Sequence, residues 1–369
     1  MNNSIAKQRY ISFNLFPTWK QPVSSKGTGC FKHGNNSFLT SGHMLAISLV
    51  FLMLLSGISK AWGQTGITSL SEITDPTGSY RLTSDVSGSG HTSIATFSGT
   101  LEAAIDPTTK MPYRITGLNA PLFTTLTGTV KNLVLEDVDI SSGDASGNTG
   151  AIACTANGEA RIYNVGILSG QVGGTGNTGG LVGLLDGTAR VINCYSYANI
   201  TGGSEKGGIV GNNNKTSKQG AITTMVMNCM FYGDIDDGDN ISPIYGGTEI
   251  TNASGGLPNY NFYRYRSRYS ITKKITKYNC ALAMEEKFIN RFERYRLLLN
   301  SNKKLAAWYI TGNVNDTAII AKWVLETADR TISNPKPYPI LKAQGKYPSI
   351  INYDAEHAPD SAAVGRFKG

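Results

Sequence analysis

The residues best suited to chemistry are acidic. Asp234-Ile235-Asp236-Asp237-Gly238-Asp239-Asn240 alternates carboxylates around a glycine, as calcium loops do. The standard calcium loop needs glycine at its sixth position and glutamate at its twelfth. Here glycine is fifth and Tyr245 is twelfth, so the segment reads as a solvated loop, with calcium the alternative. Glu136, Asp137 and Asp139 share one strand-like stretch, and a two-residue period places Asp137 and Asp139 on one face. Paired carboxylates hydrolyse glycosides when a groove fixes their separation. Exposed positions on a strand explain this pair more simply.

Other chemistries lack their residues. No Gly-x-Ser-x-Gly and no Cys-x-x-Cys occurs, and past residue 63 the only histidines are His91 and His357. Neither a serine nucleophile nor a structural zinc site is expected, so the reading has no catalytic residue, no metal ligand and no cofactor. Tyr260–Tyr269 reads YNFYRYRSRY, aromatics interleaved with arginines. Such a run can stack bases or sugars, or it can dock on an acidic surface. Cys194 and Cys229 each follow an asparagine and sit among apolar residues, which reads as stacked interior thiols.

The elements that would position these groups repeat along the chain. Stretches starting at Gly128, Gly158, Gly187 and Gly220 align, and their anchor residues are Asn132, Asn164, Asn193 and Asn228. The spacings are 32, 29 and 35 residues. A period of 20–50 residues marks stacked units that bury their apolar faces on one another. Val130, Leu133, Leu135, Val138 and Ile140 favour strands and mostly alternate, with glycine and Ser/Asp clusters at their borders. Strands that meet their own copy one repeat later run parallel, so the expected fold is mainly β. It is read as a right-handed parallel β-helix followed by a smaller α+β module. Asparagine at one place in each coil can stack as an amide ladder. The pairs Gly179-Gly180 and Gly207-Gly208 suit corners or close backbone approach.

Gly180-Leu181-Val182-Gly183 and Gly208-Ile209-Val210-Gly211 resemble the GLUG motif of repeat-bearing surface and secreted proteins of Bacteroidota. Gly150-Ala151-Ile152-Ala153 looks like a decayed copy. Tyr80-Arg81-Leu82-Thr83-Ser84-Asp85-Val86 and Phe97-Ser98-Gly99-Thr100-Leu101 resemble the opening of many bacterial β-helices. Glu102-Ala103 stands where those have Asp-Gly. The resemblance covers about residues 72–213 and implies a cell-surface β-helix with a purely structural motif.

Charge divides the chain. Residues 64–259 hold 32 glycines and 9 Lys/Arg against 17 Asp/Glu, net −8; residues 260–369 hold 4 glycines and 19 Lys/Arg against 9 Asp/Glu, net +10. A domain boundary is placed at 259, beside Gly255-Gly256-Leu257-Pro258. Upstream, Met44–Leu55 is an uncharged apolar run followed by Ala61-Trp62-Gly63-Gln64, which reads as a signal peptide cut between Gly63 and Gln64. An uncleaved anchor is the alternative, and Met44 is a second candidate start. Residues 1–63 carry six Lys/Arg and no acid, so the mature chain drops from +8 to +2. The basicity belongs to the leader, and nucleic acid is not an expected partner.

In the module 260–369, Phe288, Phe292, Tyr295, Leu298 and Leu299 form a stripe that predicts one helix over about 281–299, with a second short helix or a turn over Leu305–Ile310. The resulting expectation is an exported, outer-membrane-associated or extracellular, non-catalytic repeat protein. Its function would be adhesion or binding of glycans or of host or bacterial surface proteins, and it would meet a membrane only through export or an anchor. A carbohydrate-active β-helix enzyme is the alternative.

Overall fold

The computed structural model describes residues 63–109, 111–213, 225–236, 240–244, 246, 261–264, 281–284, 292–325 and 339–341. The leader up to residue 62, residues 237–239 of the acidic run and the greater part of Tyr260–Tyr269 lie outside them. Among the described residues no helix is long and apolar enough to cross a membrane.

The chain is mainly β, with parallel strands gathered into sheets and few helices. The largest sheet has 13 strands among the described residues. Its main path runs through Thr65–Ile67, Ser79–Leu82, Thr100–Ala103, Thr129–Glu136, Arg161–Ile167, Tyr195–Ser196, Met230–Phe231, Asn261–Arg264 and Ala281–Met284. A second sheet joins Ile94–Phe97, Phe123–Leu126, Ala153–Ala156, Val182–Leu185 and Val210–Asn213. Two three-stranded sheets flank them, one of them Val138–Ile140, Gly170–Gly174 and Asn199–Gly202. Register repeats with the sequence: Val130 faces Ile162, Ile162 faces Val191, and Val191 faces Val226, each pair parallel.

That register sorts the side chains. Leu101, Val130, Ile162 and Val191 stack in one buried column. Phe97 lies on Phe123 with ring centroids 4.4 Å apart and planes within 10°. Parallel strands buried this way need apolar residues at every inward position. Glycine meets a second demand, close approach of backbones. A Cβ on Gly180 would sit 2.3 Å from the Gly208 carbonyl oxygen, and one on Gly208 would sit 2.2 Å from the Pro243 carbonyl oxygen.

Asn132, Asn164, Asn193 and Asn228 all have left-handed backbones, with φ of 50°, 55°, 59° and 57°. Asparagine is one of the few non-glycine residues that tolerates this region. In the later repeats it divides two short strands, Arg190–Ile192 from Tyr195–Ser196 and Met225–Met227 from Met230–Phe231.

Two local expectations are corrected. Ala281–Met284 is a strand paired with Asn261–Arg264, not the start of a helix, and the described helix is Phe292–Ser301. Alanine, leucine and methionine favour helices by only a few tenths of a kcal/mol, about what one strand edge outweighs with its hydrogen bonds. Asp137 also has a left-handed backbone (φ 54°), between strands Thr129–Glu136 and Val138–Ile140. The two-residue period is therefore broken between Asp137 and Asp139.

Among the described residues, the rest of the C-terminal part comprises helices Phe292–Ser301 and Lys303–Thr311, a short turn at Thr317–Ile319 and an antiparallel pair, Trp323–Leu325 with Pro339–Leu341. Gly312 ends the second helix in the left-handed conformation, its N–H donating to the Trp308 carbonyl.

Candidate functional site

The asparagine column is the most ordered polar array among the described residues. Asn164 Nδ2 donates to Asn132 Oδ1 at 2.8 Å, Asn193 to Asn164 at 2.7 Å, and Asn228 to Asn193 at 2.7 Å. Asn164, Asn193 and Asn228 are buried, because the C-terminal segment lies over them. Asn164 Nδ2 also donates to the Ile319 carbonyl at 2.7 Å, and the Ala321 N–H donates to Asn164 Oδ1 at 3.0 Å. Asn193 Nδ2 donates to the Ala321 carbonyl at 3.0 Å, and Trp323 Nε1 donates to Asn193 Oδ1 at 2.6 Å.

Residues beside the asparagines complete the contact. Tyr163, Ile192 and Met227, each immediately before a ladder asparagine, pack with Ala306, Ala307 and Ile320. Tyr195 and Met230, two residues after, pack with Tyr232, Phe262, Leu299, Trp323 and Leu341. Burying such side chains contributes about 1.5–3 kcal/mol each, so this seating is chiefly apolar and the amides set its register. Arg190 adds a contact, its guanidinium 5.3 Å from the Tyr309 ring centre and hydrogen-bonded to the Tyr309 carbonyl.

A second amide chain escaped the sequence reading. Asn148 Nδ2 donates to Asp144 Oδ2 at 3.1 Å, Asn177 to Asn148 Oδ1 at 2.7 Å, and Asn212 to Asn177 Oδ1 at 3.2 Å. Its signal was the tetrapeptide Gly-Asn-Thr-Gly, present at both Gly147–Gly150 and Gly176–Gly179.

The acidic candidates are spread out. Asp137 Oδ1 accepts from Ser169 Oγ at 2.6 Å, and Asp139 Oδ1 accepts from Gln171 Nε2 at 2.7 Å, each tying neighbouring strands. Asp236 accepts from the Gly202 N–H at 2.7 Å and pairs with Lys206 Nζ at 2.7 Å. Glu102, where a turn was in question, is instead a buried strand residue held by Arg81 and by Lys131 Nζ at 3.3 Å. Burial works against its charge, yet the two cations outweigh burial and leave its carboxyl below the ordinary value.

The thiols are inert by position. Cys154, Cys194 and Cys229 are buried and free. Burial, with Asp144 nearby, pushes the Cys154 thiol up to about 12. Burial and the neighbouring Cys229 raise Cys194 as well. The GLUG-like residues serve packing: Leu181, Val182, Ile209 and Val210 are fully buried, and the Leu181 N–H donates to the Ile209 carbonyl at 2.9 Å. Gly183 and Gly211 approach neighbouring backbone, where a Cβ would lie 2.4 Å from the Thr149 nitrogen and 2.5 Å from the Thr178 nitrogen. Gly63 and Gln64, the expected cleavage point, open the described residues.

Part of the sheet-forming region resembles the N-terminal region of a peptidase family. Residues 70–169, about a quarter of the chain, match the family described as M26 IgA1-specific metallo-endopeptidase, N-terminal region. Among solved structures, the chain is similar to a Bacteroides ovatus protein assigned to the immunoglobulin A1 proteases. The two share 14% identity with a TM-score of 0.47, over 76% of this chain and 93% of the other. No curated protein sequence matches. The family match lies upstream of the two GLUG-like stretches and names a different family from the one they resemble.

This match overturns the expectation of a non-catalytic binding protein that is not an enzyme, and with it the carbohydrate-active alternative. The sequence reading rested on missing nucleophile and zinc motifs and on a motif whose role is structural, whereas such a region can be one part of a peptidase. The catalytic metal of such an enzyme does not fit the residues seen. The chain's histidines, at 33, 43, 91 and 357, include no pair spaced as in H-E-x-x-H, and among the described residues no three His, Cys, Asp or Glu side chains form a metal cluster.

Proposed function

We propose that this chain is the substrate-engaging region of a metallo-endopeptidase directed at an immunoglobulin A1-class protein. The observation that carries the reading is the family match over residues 70–169. It begins on the short turn Leu70–Glu72 and runs through the strand Arg161–Ile167, so it covers contiguous strands of the main sheet. We read those strands as coils of a right-handed parallel β-helix over 64–259, with 1–63 as an export leader cut at Gly63–Gln64 and 260–369 as a basic module whose strands Asn261–Arg264 and Ala281–Met284 extend the main sheet. The 29–35-residue recurrence of parallel partners supports the helix. The GLUG-like stretches are read as structural joints of later coils. A long repeat surface suits a peptidase whose substrate is itself a folded protein, because many modest contacts can orient one chain.

The test is to incubate the full chain, exported from a Gram-negative host, with immunoglobulin A1 or immunoglobulin G at equal concentration. Selective retention of immunoglobulin A1 supports the reading. Indifference between the two immunoglobulins overturns it.

A further inference from the structure

Asn164 and Asn193 each use every hydrogen-bonding position of a side-chain amide. Asn164 donates to Asn132 Oδ1 and the Ile319 carbonyl, and accepts from Asn193 Nδ2 and the Ala321 N–H. Asn193 donates to Asn164 Oδ1 and the Ala321 carbonyl, and accepts from Asn228 Nδ2 and Trp323 Nε1. An amide offers two donors and two acceptor sites, so both residues are saturated. One donor and one acceptor on each serve the ladder. The other two face the segment Ile319–Trp323.

Three of the four bonds to that segment reach its main chain. The ladder therefore recognises an extended backbone, and side chains add only the register. Ile320 fills the cluster around Tyr163, Ile192 and Met227, and Trp323 fills the cluster around Tyr195 and Met230. Two asparagines of the helical part answer from the other side. Asn300 grips Trp323 at both its N–H (2.9 Å) and its carbonyl (2.8 Å), and Asn302 Nδ2 donates to Asn228 Oδ1 at 3.3 Å.

We propose that Asn164 and Asn193 form a backbone-reading latch that positions the C-terminal helices on the main sheet and closes only on a completed ladder. The physical basis is orientation. A lone asparagine amide rotates and can point either end outward, but stacking through Asn132 and Asn228 fixes which end is N–H and which is carbonyl. The outward donor and acceptor are thereby preorganised for Ile319–Trp323, and the latch forms at little further entropic cost. Latch formation follows the stacking of at least three repeats and goes beyond any role of the chain in proteolysis.

Segment-side variants leave the ladder intact. Ala321→Pro removes the N–H bonded to Asn164, and Trp323→Phe removes the indole N–H bonded to Asn193 while keeping a ring. Ala318→Pro is the control, at the exposed position of the turn Thr317–Ile319. The readout is limited proteolysis at the exposed stretch Gly312–Asn315. Removing one of the two donors to a buried amide oxygen should raise initial cleavage there roughly tenfold in both latch variants, with the control near wild type. If Ala321→Pro also exposes strands 65–236 to cutting, the protein has unfolded and Trp323→Phe decides. Wild-type cleavage in both latch variants, or equal acceleration in the control, overturns the proposal.

Discussion

The ring of Tyr195 occupies the space that a side chain on Gly166 would need. The two residues are register partners on neighbouring parallel strands, and a Cβ on Gly166 would come within 2.3 Å of Tyr195 Cζ. The missing side chain in one repeat lets a large ring in the next lie down on the sheet. There Tyr195 meets Trp323 edge-on, with centroids 6.2 Å apart. Pairing of small with large residues thus links repeat packing to the docking of the C-terminal segment.

Gly166→Ala should cost about 1–3 kcal/mol, the usual penalty for overpacking a filled site. The loss should shrink in a Tyr195→Leu background, where the ring is gone. Urea unfolding of the two single variants and the double variant measures the coupling. Strict additivity would contradict the contact.

Acid should loosen the early strands through Glu102. A carboxyl whose pKa is lowered by folding contributes stability that is fully present above its unfolded value, 4.5 for glutamate, and is lost as pH falls through the lower folded value. Glu102→Gln should therefore flatten the stability decline between pH 5 and about pH 3. Urea midpoints across that range check it, and identical slopes in both proteins would count against the Arg81–Glu102–Lys131 cluster.

Iodoacetamide at about pH 8 should spare Cys154, Cys194 and Cys229 in the folded chain and label them once denaturant is added. The thiolate is the reacting form, and burial suppresses it at Cys154 and Cys194. Peptide mass mapping reads each site separately. Ready labelling of folded Cys154 would mean that its strand opens.

Much of the mainly-β, parallel character was legible in the sequence, for a definite reason. A strand that pairs with its own copy must repeat its apolar pattern, and a left-handed corner admits few residues besides glycine and asparagine. Both leave marks at fixed spacing, as at Val130, Ile162, Val191 and Val226 and at the asparagines two residues later. The second amide chain left a mark too, in the duplicated Gly-Asn-Thr-Gly, but its third member, Asn212, stands in a different local context and broke the pattern. Ala281–Met284 could not be read at all. Its composition favours a helix, and only the free edge of Asn261–Arg264 made it a strand.

The sequence by itself determined where the backbone must turn and which side chains face inward, because those demands are local and recur in every repeat. Tertiary structure alone decided what the outward residues do. Tyr163, Ile192 and Met227 look like ordinary strand residues, and nothing local tells that Ile320, more than ninety residues beyond Met227, will cover them. Asn164 and Asn193 likewise show their spacing in the sequence but not their second pair of hydrogen bonds. Those partners are brought by a segment over a hundred residues away, and contacts of that range carry no periodic signature.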